Sequence, residues 1–196
     1  MDKVLGVIKF IVGILLLPIV IGITFGFYKE ISILEKTHLV YFITGIITYL
    51  VIHLFVWEPQ FLYKKGQHIL EILFGFFAPL VKIAPYLLPI YTILSFIIYF
   101  ILVLFIKSPI LLDIFMFLFG FTLILHIKFT SDDLKAKESF LKSDYIFGFS
   151  LIYILNIILV SLFISVVIKE FSIPNFFKES FQLTKSIISY IFSQLF

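Results

Sequence analysis

Long apolar runs separated by short polar punctuation dominate the chain. The first run covers residues 4–27, and a helix needs only ~20 such residues to cross a bilayer. Lys9 lies one to two turns inside it and can snorkel to the interface. Pro18 stands mid-run and predicts a kink. Lys29 to His38 reads as a short polar loop. A second span follows at 39–57, with Trp57 marking an interface, where indole rings settle. Glu58, Pro59, Lys64 and Lys65 form the next polar stretch. Residues 67–85 are apolar but carry His68, Glu71 and Lys82, and Gly75, Pro79 and Pro85 interrupt them. That pattern predicts a re-entrant or partial span. Further spans are expected at 86–106, 110–127 and 145–168, with Lys107, Ser108 and Pro109 turning between the first two.

Residues 128–144 are the most charged segment, and Ser131, Asp132 and Asp133 there suit the N-cap of a short surface helix. Beyond Pro174 the pattern becomes amphipathic. Phe177, Phe181, Thr184, Ile188, Ile191 and Leu195 share one stripe at helical spacing, with Lys178, Glu179, Gln182, Lys185 and Ser189 away from it. This predicts an interfacial helix over 171–196, lying on the membrane. The alternative is a helix packed onto the bundle or a partner. The expected fold is all-α: a polytopic membrane helical bundle over 1–170, with a re-entrant or broken segment and a C-terminal amphipathic helix.

Composition strengthens this picture. The chain is 62% hydrophobic with a mean hydropathy of +1.18, where soluble domains sit near ~45–50% apolar. Lipid must therefore solvate much of the surface. The apolar run to Phe27 is too long for a signal-peptide core and is followed by no small-residue cleavage pattern, so it reads as a retained helix. With five spans and the N-terminus inside, eight lysines fall inside and six outside, a weak bias. A full crossing by 67–85 would make six spans. The net charge of +3 is spread over loops, and no basic patch with interleaved aromatics points to nucleic acid.

Residue types also exclude chemistries. There is no cysteine, which removes disulfides, thiolate metal sites and cysteine nucleophiles. All 15 basic residues are lysine and alanine is scarce, as expected of an AT-rich genome. No Gly-rich phosphate loop and no Gly-x-Ser-x-Gly elbow occurs. Polar side chains at membrane depth each need a partner or a purpose. The candidate intramembrane polar cluster is His53, His68, Glu71, His126 and Asn156; Lys82 and Asp113 are further polar residues within apolar runs, the latter near a span end. His68 and Glu71 stand at i and i+3 and share a helix face. Asn156 is placed to bridge helices. Imidazole and carboxylate can bind zinc, but two His at i and i+4 with a Glu beside the first do not occur. The residues therefore predict no metal and no cofactor.

Five phrases occur in a suggestive order: LLLPIVIGIT from Leu15, GIITYLVIHLFVWEPQFLYKKGQHILEIL from Gly45, APYLLPIYTIL from Ala84, FGFTLILHIKFT from Phe119 and SDYIFGFSLIYILN from Ser143. Together, over most of the chain, they resemble bacterial membrane proteins related to site-2-protease-type zinc metallopeptidases. No single phrase is specific. Pro59, Tyr63 and Gly66 match the stretch before that family's Gly-His-Glu-x-x-His segment. Gln67, His68 and Glu71 then stand where the first His, the Glu and the second His belong. His126, Asp144, Gly148 and Asn156 fall on other characteristic positions. The family's longer polar segment before the APY phrase is reduced here to about a dozen residues. The resemblance implies a multi-pass protein of a bacterial inner membrane that has lost the zinc motif: glutamine ligates zinc poorly, and the general base is gone.

The expected function is non-catalytic: a protease-like fold acting as a scaffold or binding subunit for a membrane partner, a peptide or a lipid. One alternative is a divergent intramembrane zinc metallopeptidase, which requires His68, Glu71 and His126 to converge. Another is a small transporter or channel subunit, suggested by the interrupted Gly75 to Pro89 region.

Overall fold

Lipid offers the backbone no hydrogen bonds, so each apolar run must satisfy its own amides, and helices result. The computed structural model describes residues 2–56, 60–76, 84–135 and 143–195. In chain order the helices are α1 (Asp2–Ile33), α2 (Lys36–Val51), α3 (Gln60–Leu73), α4 (Ile90–Phe105), α5 (Ile110–Lys135), α6 (Ser143–Val167) and α7 (Ile173–Leu195). A single π turn, Ile52–Val56, extends α2, and a short helical turn at 84–87 precedes α4. No strand occurs among the described residues. The molecule is a helical membrane protein, with four helices among the described residues long and apolar enough to cross a bilayer: Val4–Ile33, Lys36–Phe55, Ile110–Lys135 and Tyr145–Val167.

The fifth expected span, 86–106, is realised as the end of the short turn at 84–87 and, after a break at Leu88 and Pro89, as α4. Its 16 residues reach only ~24 Å, short of a ~30 Å hydrocarbon core. Pro89 caps it, because proline cannot donate into a helix already under way. Other boundaries shift outwards. The polar loop expected at 29–38 shrinks to Leu34 and Glu35, since α1 continues to Ile33 and α2 begins at Lys36. The cap expected at Ser131 does not form: α5 runs unbroken from Ile110 to Lys135, and Ser131 Oγ lies 3.0 Å from Tyr145 Oη. Nothing between Lys128 and Lys135 breaks a helix, so it continues through this charged segment. Of the polar stretch formed by Glu58, Pro59, Lys64 and Lys65, the two lysines are already helical, in α3. Of the predicted partial span 67–85, residues 77–83, Lys82 included, lie outside the described residues, as do Trp57, Glu58 and Pro59.

The chain divides into two compact units, one formed by 1–34 with 131–196 and the other by 35–130. In the second unit, α2 and the start of α5 run parallel. His38 meets Asp113 at one end, and Tyr49 meets Phe121 further along. Two glycines let the backbones touch. A Cβ on Gly45 would collide with Phe117 O, and one on Gly120 would collide with Phe42 O. Small residues at such crossings are how membrane helices approach, since burial from water contributes little between them.

In the first unit, α6 lies beside α1, with Gly13 against Ile146 and Phe147, and Thr24 Oγ1 3.0 Å from Tyr153 Oη. Helix α7 also packs along α1. It runs antiparallel to α1, seated on the side that carries Gly22 and Gly26. This is packing of the kind named above as the alternative for this helix.

Candidate functional site

Three helices of the second unit converge on a narrow recess. Helix α3 contributes Tyr63, Gln67 and Leu70, at i, i+4 and i+7 on one face. Helix α4 contributes Ile90 and Tyr91. Helix α5 contributes Thr122, Leu125 and His126, and Pro85 and Leu88 close the side. The recess is about the size of one water molecule or one side-chain tip.

Its polar groups face one another or the backbone. His126 is buried, and its Nε2–H donates to Tyr86 O at 3.1 Å, which fixes that nitrogen as the protonated one. The Tyr91 hydroxyl donates to Leu62 O at 2.5 Å. Thr122 Oγ1 donates to Leu118 O at 2.8 Å and lies 3.1 Å from Thr92 Oγ1. Tyr63 is buried, with its hydroxyl 3.1 Å from Thr130 Oγ1. Its ring stacks on Phe129 at 5.4 Å and lies 6.1 Å from the His126 ring.

His53 enters the same aromatic cluster from the π turn. It stacks on Tyr49 at 5.8 Å and meets Phe129 edge-on at 6.2 Å. The π turn is what sends it there, because widening the last turn rotates the side chains that follow. The two imidazoles therefore flank Tyr63 and Phe129 without touching each other. His53 Nδ1 is buried with no hydrogen-bond partner among the described residues.

The other expected members do not join them. His68 and Glu71 point outwards from α3, with side chains 72% and 50% exposed, and pair with each other at 3.5 Å. Gln67, one position earlier, is the residue that faces inwards. Asn156 is buried in the first unit, where its amide donates to Ile152 O at 3.0 Å. The five residues thus form an aromatic-histidine pair, a surface pair and a separate amide, not one cluster. Among the described residues, no three His, Asp or Glu side chains converge as metal ligands would.

Asp113 is engaged elsewhere. His38 Nδ1 lies 2.6 Å from Asp113 Oδ1, both partly buried, with Glu35 at 3.6 Å on the other side of the ring. This contact joins the starts of α2 and α5.

The first unit holds a second constellation, which the residue patterns did not announce. Glu30, at the end of α1, is only 2% exposed, and its Oε2 accepts the backbone N–H of Ser172 at 2.8 Å. Ser172 Oγ in turn lies 3.4 Å from the Asn175 N–H, capping α7. Lys29 pairs with Glu179 at 2.6 Å. Below them, a Cβ on Gly26 would collide with Ser180 Oγ, and one on Gly22 with Thr184 Oγ1. The signals for this seam were Gly22-x-x-x-Gly26 and Ser180-x-x-x-Thr184, both small-x-x-x-small spacings. No family model, curated protein or solved structure matches this chain.

Proposed function

We propose that this chain is a non-catalytic subunit of a bacterial inner membrane, a relative of site-2-protease-type membrane proteins that has lost their zinc motif. It acts by binding another membrane component. The observation that carries this reading is how the buried polar groups of the second unit are used. Tyr63, Tyr91, Thr92, Thr122 and His126 each engage another side chain or a backbone carbonyl. They hold α3, α4 and α5 together around a recess too small for a substrate. At the three positions that resemble the zinc motif, Gln67 faces the recess while His68 and Glu71 face outwards. Among the described residues this geometry supplies no ligand set, and that weighs against the metallopeptidase alternative. So narrow a polar interior weighs against the transport alternative. Binding therefore falls to the exterior of the helices, which in a membrane is where partner helices and lipids sit.

Metal analysis of the purified protein tests the reading. The expected result is far less than one zinc per chain, unchanged by His68→Ala. About one zinc per chain, lost in His126→Ala, would overturn it.

A further inference from the structure

Helix α7 carries a polar strip that faces neither α1 nor the apolar side of the helix. Gln182, Lys185, Ser186, Ser189 and Ser193 recur at helical spacing, and all five are exposed. The face packed on α1 is a different one, formed by Phe176, Ser180 and Thr184. A third face is apolar and exposed, formed by Phe177, Phe181, Ile188 and Phe192.

The register on α1 sets the depth of this strip. Glu30 meets Ser172, Gly26 meets Phe176 and Ser180, Gly22 meets Ser180 and Thr184, and Pro18 O lies 3.4 Å from Thr184 Oγ1. Each step down α1 is matched by a step up α7, so the two helices are aligned. Continuing that register places Lys185 level with the stretch from Leu17 to Ile21. That is the middle of the uncharged run from Phe10 to Tyr28 in a helix long and apolar enough to span. The run is ~28 Å long, so Lys185 is ~14 Å from either end of it, beyond the ~6 Å reach of a lysine stem. Lys185 has no ion-pair partner among the described residues.

We propose that α7 stands upright in the bilayer beside α1, and that its polar strip docks a transmembrane helix of another protein carrying an Asp or Glu near mid-span. An ammonium at that depth needs a carboxylate, and the serines and Gln182 offer interhelical hydrogen bonds beside it. A second copy of this chain does not fit. Lys185 sits at the middle of the run, so either a parallel or an inverted copy sets lysine against lysine. Glu179, the acid closest along the helix, is held by Lys29. Lipid headgroups do not reach this depth. This inference rests on the binding role proposed above and names its surface.

The test uses the full-length protein in phospholipid vesicles, with a fluorescent Leu/Ala transmembrane peptide bearing one central Asp, or Leu in its place. Energy transfer to labelled protein is expected to show the Asp peptide associating about tenfold more strongly. The preference is expected to vanish in Lys185→Leu and to survive in Lys178→Leu. Equal association of the two peptides, or a preference that persists in Lys185→Leu, would overturn the proposal. Because the chain has no cysteine, the Ser189→Cys variant reports depth directly. Slow labelling by a membrane-impermeant maleimide supports the upright helix. Labelling as fast as in detergent overturns it, and so does a disulfide-linked dimer of the Ser189→Cys variant formed without peptide. A null peptide result leaves the zinc test of the non-catalytic reading standing, and a zinc-loaded protein leaves this one standing.

Discussion

The two units use glycine for the same purpose but surround it differently. In the second unit, Gly45 and Gly120 receive backbone carbonyls, Phe117 O and Phe42 O, in the space a Cβ would need. A helix backbone cannot yield there without moving the whole helix. In the first unit, the atoms closest to a Cβ on Gly22 or Gly26 are the hydroxyls of Thr184 and Ser180, on side chains that can be trimmed, with the backbone carbonyls of Ser180 and Phe176 next, at 2.6 and 2.7 Å. The second unit thus meets main chain first at its glycines, while the first meets small polar side chains before main chain and is closed at one end by the buried Glu30. The second engages Tyr63, Tyr91, Thr92, Thr122 and His126 within itself, whereas the first leaves a polar strip on α7 facing outwards. A unit held by close backbone contact and internal hydrogen bonds suits a scaffold. A seam of small residues beside an outward-facing polar strip suits assembly.

Substitutions that add or remove single groups test this contrast, read as stability to denaturing detergent. Gly45→Ala drives a methyl into a backbone carbonyl and is expected to cost ~3 kcal/mol or more. Glu30→Ala strips the buried acceptor from Ser172 N–H and the start of α7, and should cost ~2 kcal/mol. Glu30→Gln should recover part of that by keeping an acceptor oxygen. Gly26→Ala is expected to cost ~1–2 kcal/mol, less than Gly45→Ala, and Ser180→Ala in the same chain should restore part of it. If Gly26→Ala costs the same whatever stands at 180, the contrast between the two seams is wrong. Smallest of all, His68→Ala and Glu71→Ala should each stay within ~0.5 kcal/mol of the parent, because their pair is exposed and screened. A loss of several kcal/mol there would mean that a partner covers the pair in the membrane.

Reading from the residues located the long helices well and the polar partnerships poorly. Residues 4–27, 39–57, 110–127 and 145–168 each fall within or largely on a long apolar helix, because ~20 apolar residues leave few alternatives in a chain this hydrophobic. Two of the ends, at 27 and 127, were set too early. A helix stops where its backbone finds a better partner, not where the lipid ends, and α1 and α5 carry on through Lys29, Glu30 and Asp132. The pairing of His38 with Asp113 and of Glu30 with Ser172 joins residues 75 and 142 positions apart. No local pattern announces such pairs.

The sequence by itself determined that this chain is a helical, multi-pass membrane protein without thiol chemistry, since the solvent preference of 20-residue stretches is a sum over local side chains. It also determined that α7 has an apolar and a polar side. Tertiary structure alone decided which faces became interior. It seated α7 on α1 through Ser180 and Thr184, left Phe177 and Phe181 exposed, turned Gln67 inwards and sent His68 and Glu71 outwards. In a membrane these choices are not made by hydrophobicity, because lipid is as apolar as leucine. They are made by how closely two backbones can approach, which depends on where small residues on distant segments happen to meet.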